Sequence, residues 1–269
     1  MIEDGALGVI YGPPNGGKTF VALDWALSVA TDRKWQGRRV RSGGVVYIVA
    51  EGGRNIGRRI KAWMIHNDVR EVDRMFSVLR AIPFKNSGDV DDLVSQIRAS
   101  RVSPRLIVID TLARCFAGGD ENSTEDMSEF VAACSRLQAD TESAVVVVHH
   151  SGKSPAARER GSSALRGAAD SMISVAQASK IISIKVDKQK DGELAKEVRL
   201  RLQTSVVDTD PRREGRSRPV SWFLPGECRR CRTFRSRPVQ DRHCRHSSAF
   251  VAGPPNRASG GSRRRARRN

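Results

Sequence analysis

Across 269 residues the chain is 39% hydrophobic and 29% charged with a net charge of +17, and no stretch approaches the roughly 20 apolar residues of a membrane span. Met1 is followed by acids rather than by a basic and then apolar region, which does not read as a signal peptide; no membrane association and a cytoplasmic location are the expectations. The charge is unevenly placed, because residues 211–269 hold 17 Arg, no Lys and three acids and so supply +14 of the +17.

In chain order, the first apolar run is Leu7 to Tyr11. It leads into Gly12-Pro13-Pro14-Asn15-Gly16-Gly17-Lys18-Thr19, which fits the spacing G-x-x-x-x-G-K-[ST], and then into a helical period from Phe20 to Ala30. Strand, glycine-rich loop and helix in that order bring backbone N–H groups and a positive helix end to the β- and γ-phosphates of a nucleotide. Lys18 is expected to meet the phosphates and Thr19 a magnesium ion, so ATP and Mg2+ are the expected ligands.

The next strand, Val45 to Ala50, ends in Glu51, followed by Gly52 and Gly53. A carboxylate at that tip can polarise the water that attacks a γ-phosphate. After a helix over Ile56 to His66 and a strand over Phe76 to Leu79, Asp89 is the expected cap of a helix over Val90 to Ser100. Strand Leu106 to Ile109 then ends in Asp110 and Thr111, and a carboxylate at the tip of a buried strand beside the P-loop strand orders magnesium through its water shell. Gly118 to Asn122 reads as a mobile loop, and Ser123 as the N-cap of a helix over Thr124 to Asp140. Cys115 and Cys134 are isolated and read as buried thiols.

Strand Ala144 to Val148 ends in His149 and His150. Neighbouring residues on an extended strand point opposite ways, so one of the two faces the nucleotide, and His149 is the expected one. The segment Ser151 to Gly161, with Lys153, Arg158 and Arg160, is read either as a loop tracking a nucleic-acid backbone or as a plain connection; it has no aromatic residue for base stacking. Three further strands, Met172 to Ala176, Ile181 to Val186 and Val198 to Gln203, follow without helices between them. The expected fold is therefore α/β, a mostly parallel twisted sheet flanked by helices with an antiparallel C-terminal extension.

The motifs in sequence, Tyr11-Gly12-Pro13-Pro14, Ala50-Glu51-Gly52, Val108 to Arg114, His149 to Lys153 and Arg160 to Gly167, resemble those of RecA-like ATPases of the RepA-like branch, phage, plasmid and mobile-element proteins related to hexameric replicative helicases. The resemblance covers roughly Leu7 to Asp208. It implies that Lys18 and Thr19 bind phosphate and magnesium, that Asp110 is the Walker B carboxylate, that Glu51 is the catalytic glutamate and that His149 or His150 is the sensor. It also implies a ring, a hexamer, with ATP at subunit interfaces and a basic residue reaching in from the neighbour. Arg160, Arg166, Lys188 and Lys190 are the candidates for that role, and the two lysines of Lys188-Gln189-Lys190 fall on one face of an extended strand. Single-stranded DNA is the implied partner, and an ATP-driven, helicase-like motor the implied function. A non-motor recombination or replication accessory ATPase and an inactive truncated nucleotide-binding relative are the alternatives. The leader that family members carry upstream is expected to be short or missing, and where the family's final strand would follow Asp208-Thr209-Asp210 the Arg-rich tail is read instead.

Two domains are expected, an ATPase domain over residues 1–210 and a disordered basic tail over 211–269. The tail, ending in Arg263 to Arg268, reads either as a nucleic-acid-binding arm or as out-of-frame sequence. Within it, Cys228, Cys231, Cys244 and His246 supply four potential zinc ligands, with a cramped Cys-x-His end.

Overall fold

A computed structural model of the chain describes residues 1–100, 102–150, 163–207 and 218–225. Among the described residues nine strands form one sheet, β1 (Leu7–Gly12), β2 (Gly44–Val49), β3 (Met75–Val78), β4 (Pro104–Asp110), β5 (Ala144–His150), β6 (Ser171–Ala178), β7 (Ile181–Gln189), β8 (Val198–Val207) and β9 (Arg218–Pro225). The helices are α1 (Lys18–Ala30), α2 (Gly53–Asn67), α3 (Ser87–Ala99), α4 (Leu112–Cys115), α5 (Thr124–Thr141) and α6 (Ser163–Ala168). The strand order is β3-β2-β4-β5-β1-β6-β7-β8-β9. The first six pair in parallel and the last three add on in antiparallel fashion, as the sequence pattern predicts.

The central strands are apolar along their whole length because both faces are covered. Val45, Tyr47 and Val49 of β2, Leu106 and Val108 of β4, and Val146 and Val148 of β5 pack on one face with α1 and α2. Val46 and Ile48, Ile107 and Ile109, and Val145 and Val147 turn to the other face, where α3, α4, α5 and α6 supply Leu93, Leu112, Phe130 and Leu165. The period-2 alternation of each strand thus builds two cores from one sheet.

Helix ends follow local side-chain chemistry. The Ser123 hydroxyl accepts from the Asp126 N–H at 3.2 Å and caps α5, as expected. For α3 the cap is Asn86, whose Oδ1 accepts from the Gly88 N–H at 3.0 Å, and not Asp89. Asp89 instead lies in the first turn, where its charge complements the helix N-terminus.

One strand lies where the sequence analysis placed only tail. β9 pairs with β8 along its full length, from Leu200 opposite Pro225 to Val207 opposite Arg218, and both strands pass against α2. Arg and Pro dominate the composition around it and hide the β-forming run Val220-Ser221-Trp222-Phe223-Leu224. Pro219 and Pro225 are tolerated because they sit at the ends of an outer strand. Residues 1–228 form one compact unit, and 229–269 lie outside the described residues.

Candidate functional site

The C-terminal ends of β1, β2, β4 and β5 gather the candidate residues at one edge of the sheet, where open α/β sheets place their ligands. Gly12 to Gly17 turn from β1 into α1 under the start of the antiparallel extension. A Cβ on Gly12 would fall 2.0 Å from the Val175 carbonyl oxygen of β6. One on Gly17, whose φ is 89°, would fall 2.2 Å from Ile182 Cδ1 of β7. Glycine is required at Gly12 by close approach to backbone, and at Gly17 by the left-handed conformation, since the Ile182 side chain could move aside.

Lys18 is the first residue of α1 and is buried. Its ammonium donates to the Gly12 carbonyl at 3.0 Å and to the Pro13 carbonyl at 2.8 Å, and lies 3.2 Å from His150 Nδ1. Burial pulls its pKa down to about 8, against the opposing charges of Asp110 and Glu51. A buried cation folded back onto its own loop, with glycines where a side chain would collide, is a cradle that fits a nucleotide's phosphates.

Asp110 closes β4 and is 2% exposed. Thr19 Oγ1 donates to its Oδ1 at 3.3 Å, and the Tyr47 hydroxyl donates to its Oδ2 at 2.8 Å. Burial pushes the Asp110 pKa up, while these two hydrogen bonds and the charges of Arg59 and Lys18 pull the other way. A hydroxyl and a carboxylate joined in this way are the donor set for a hard divalent cation of the magnesium type, with water completing its shell. Among the described residues no group of three His, Cys, Asp or Glu side chains forms a metal site.

Glu51 is exposed just beyond β2, and its charge reaches both Lys18 and His150. It is therefore a solvent-accessible carboxylate whose charge is felt within the cradle. The two histidines separate as strand alternation requires. His149 is fully buried in register with Tyr11, whereas His150, in register with Gly12, reaches Lys18. The structure thus sets His150, and not the expected His149, against Lys18, since the phase of the alternation is fixed by the neighbouring strand and not by the sequence of β5. Burial, then the Lys18 charge, holds the His150 pKa below the ordinary histidine value. The neutral ring can accept the lysine's proton through Nδ1.

Two contributors were missed by sequence reasoning. Tyr47 lies two residues before the end of β2, inside the core, and burial beside Asp110 raises its pKa well above the ordinary value, so its hydroxyl stays a donor. The Arg59 guanidinium of α2 stands 4.8 Å over the ring of Phe20, the residue after Thr19. Strand register and helix packing place these two, so no short motif contains them.

The basic candidates divide. Lys188, near the end of β7, donates to the carbonyls of Arg166 and Gly167 at 2.7 and 3.2 Å, and Lys190 lies 3.4 Å from an Asp170 carboxylate oxygen. Gln189 pairs with Ser171, which is beside Gly8 at the start of β1, so both lysines sit at the sheet edge opposite Lys18. They do not join the P-loop of their own chain. Arg160 lies outside the described residues, as do the whole of the Ser151 to Gly161 segment and Cys228, Cys231, Cys244 and His246. Cys115 and Cys134 are buried free thiols, the first pushed up to about 11 by burial. No described helix is long and apolar enough to cross a membrane.

A family model described as an AAA domain matches residues 1–156, the span of β1 to β5 that carries Lys18, Thr19, Glu51, Asp110 and both histidines. No curated protein matches the chain.

Proposed function

The chain belongs to the AAA domain family, and from that premise we propose that it is an ATP-hydrolysing motor acting on single-stranded DNA, a helicase-like replication protein of a phage or mobile element. AAA-domain membership makes it a nucleotide-binding P-loop ATPase. The finer reading, RepA-like and ring-forming, rests on the order of motifs from Gly12 to Gly167.

The observation that carries the proposal is the cluster in which Lys18 meets His150 while Thr19 and Tyr47 hold Asp110. In this reading Lys18 leaves the Gly12 and Pro13 carbonyls to take up the β- and γ-phosphates, and Thr19 and Asp110 hold Mg2+. The ion, when bound, offsets charge on the transferring phosphoryl group. Glu51 orients water toward the γ-phosphate and accepts its proton. His150, sharing Lys18 with the phosphates, is placed to register their departure and pass it to the segment after β5. Lys188 and Lys190 at the far edge of the sheet, Arg166 of α6 and Arg160 are the candidates to reach a neighbouring subunit's nucleotide, for which Lys188 would leave the Arg166 and Gly167 carbonyls and Lys190 would leave Asp170.

ATP turnover with and without single-stranded DNA, measured beside separation of a labelled forked duplex, tests this reading. Turnover that rises with DNA and drives strand separation is expected. DNA-stimulated turnover without strand separation would replace the motor with an accessory ATPase.

A further inference from the structure

At the edge of the sheet opposite the P-loop, the connection between α1 and β2 opens on a cleft of about 620 Å³. Residues 31–43 carry five cations and one acid. Arg38, Arg39 and Arg41 line the cleft from this connection, and Arg105 lines it from the start of β4. All four are exposed, and among the described residues Arg38 and Arg39 have no ion pair. None of the residues lining the cleft belongs to the P-loop, and β4 and β5 enter it from their N-terminal parts, Arg105, Leu106, Ala144 and Val146, so it is separate from the nucleotide cradle.

The arginines are held by a built support. Trp35 and Arg38 exchange backbone hydrogen bonds of 3.0 and 2.9 Å around Gln36 and Gly37, whose φ values of 48° and 76° make a tight hairpin turn. The Trp35 ring stands edge-on to Trp25 of α1 at 5.6 Å. Its indole N–H donates to Asp24 at 2.7 Å, and Asp24 accepts a second bond, also 2.7 Å, from Trp63 of α2. Trp25, which also lines the cleft, is nine-tenths buried, and its indole nitrogen is a donor with no hydrogen-bond partner among the described residues. Asp4 bridges the two walls. It pairs with Arg41 and, at 3.0 Å, with Arg105, so these guanidinium groups already close on an oxyanion.

We propose that this cleft binds the phosphate backbone of single-stranded nucleic acid, with Arg38 and Arg39 contacting successive phosphates, and that Asp4 competes with the strand for Arg41 and Arg105. Guanidinium forks suit phosphate, and counterion release favours a polyanion over a single charge. A cleft of this volume admits one or two nucleotides but not the width of a duplex. The inference rests on the reading that nucleic acid is this ATPase's partner.

Fluorescence anisotropy of labelled oligo(dT) on the full chain, with a non-hydrolysable ATP analogue present, tests it. The Arg38→Glu/Arg39→Glu variant is expected to bind about tenfold more weakly, with a log–log salt slope smaller by about two. Arg38→Lys/Arg39→Lys is expected to restore most of the affinity. Asp4→Asn is expected to tighten binding about threefold, a gain that mere damage to the fold does not produce. Unchanged binding and slope in the charge-reversed variant would overturn the cleft while leaving the ATPase reading intact. Displacement of the oligonucleotide by millimolar inorganic phosphate would identify a free-phosphate site and overturn it too. No binding by the unaltered chain would overturn both the cleft and the nucleic-acid reading.

Discussion

The two ends of the central strands solve the problem of charge in opposite ways. At the P-loop end, Lys18 and Asp110 are buried, and each is fixed by groups that the fold itself supplies, two carbonyls and His150 for the lysine, Thr19 and Tyr47 for the aspartate. At the other end Arg38, Arg39 and Arg41 are exposed on a connection whose apolar anchor, Trp35, is buried, and Arg105 is exposed at the start of β4 beside them. Buried charges must be paired and so come preorganised for one chemistry; exposed ones stay hydrated and exchangeable, which suits a partner that slides or leaves.

The largest effect that would break this contrast is at Lys18. Lys18→Ala is expected to lower ATP turnover at least about a thousandfold, since it removes the buried cation that the cradle folds around. Near-normal turnover would mean that the buried end is not where phosphate is handled.

Between the two ends lies Asp24, whose carboxylate holds the Trp35 anchor, and burial raises its pKa to about 6. A carboxyl whose folded pKa lies above its unfolded value of 3.8 contributes stability that is full below pH 3.8 and lost as the pH rises through 6. The unaltered chain is therefore expected to lose up to about 3 kcal/mol relative to Asp24→Asn between pH 4 and 7. Denaturant midpoints of both proteins across that range would check it; a difference independent of pH would remove Asp24 as a buried charge.

Tyr47→Phe sharpens the account of the buried end. It deletes one hydrogen bond to a buried carboxylate, at a cost of about 1.5–3 kcal/mol, and is expected to weaken magnesium-dependent ATP binding about tenfold or more. Calorimetric titration would show this, and an unchanged affinity would make Tyr47 a packing residue.

The smallest effect is in pH. With a pKa of about 8, Lys18 loses its proton in the empty cradle above that pH, so ATP binding must take a proton up. The affinity for ATP is expected to fall about fivefold from pH 8 to pH 9. Arg38→Glu/Arg39→Glu, at the exposed end, leaves that profile in place.

What the sequence made legible follows from how local each signal is. The P-loop, the runs that became β1, β2, β4 and β5, and the acids at the tips of β2 and β4 are contiguous, and a strand's end is also its place in the site. Helix α1 begins at Lys18, two residues before the apolar period that announces it, because the loop glycines deliver the chain already turned. The choice between His149 and His150 was not legible, since it depends on Tyr11 and Gly12 opposite them. Tyr47 and Arg59 act across elements, and only the register of β2 against β4 and the packing of α2 on α1 bring them to Asp110 and Phe20. Strand β9 was masked by its flanking arginines, although its five central residues have strand chemistry.

Glu51 is the residue on which the account turns, exposed just beyond β2 with its charge reaching both Lys18 and His150. Single-turnover ATP hydrolysis by the unaltered chain and by Glu51→Gln, with ATP binding measured on the same samples, tests it most directly. The account predicts binding within about threefold of the unaltered chain and hydrolysis slower by about 100- to 10,000-fold. Hydrolysis by Glu51→Gln at the unaltered rate would contradict it.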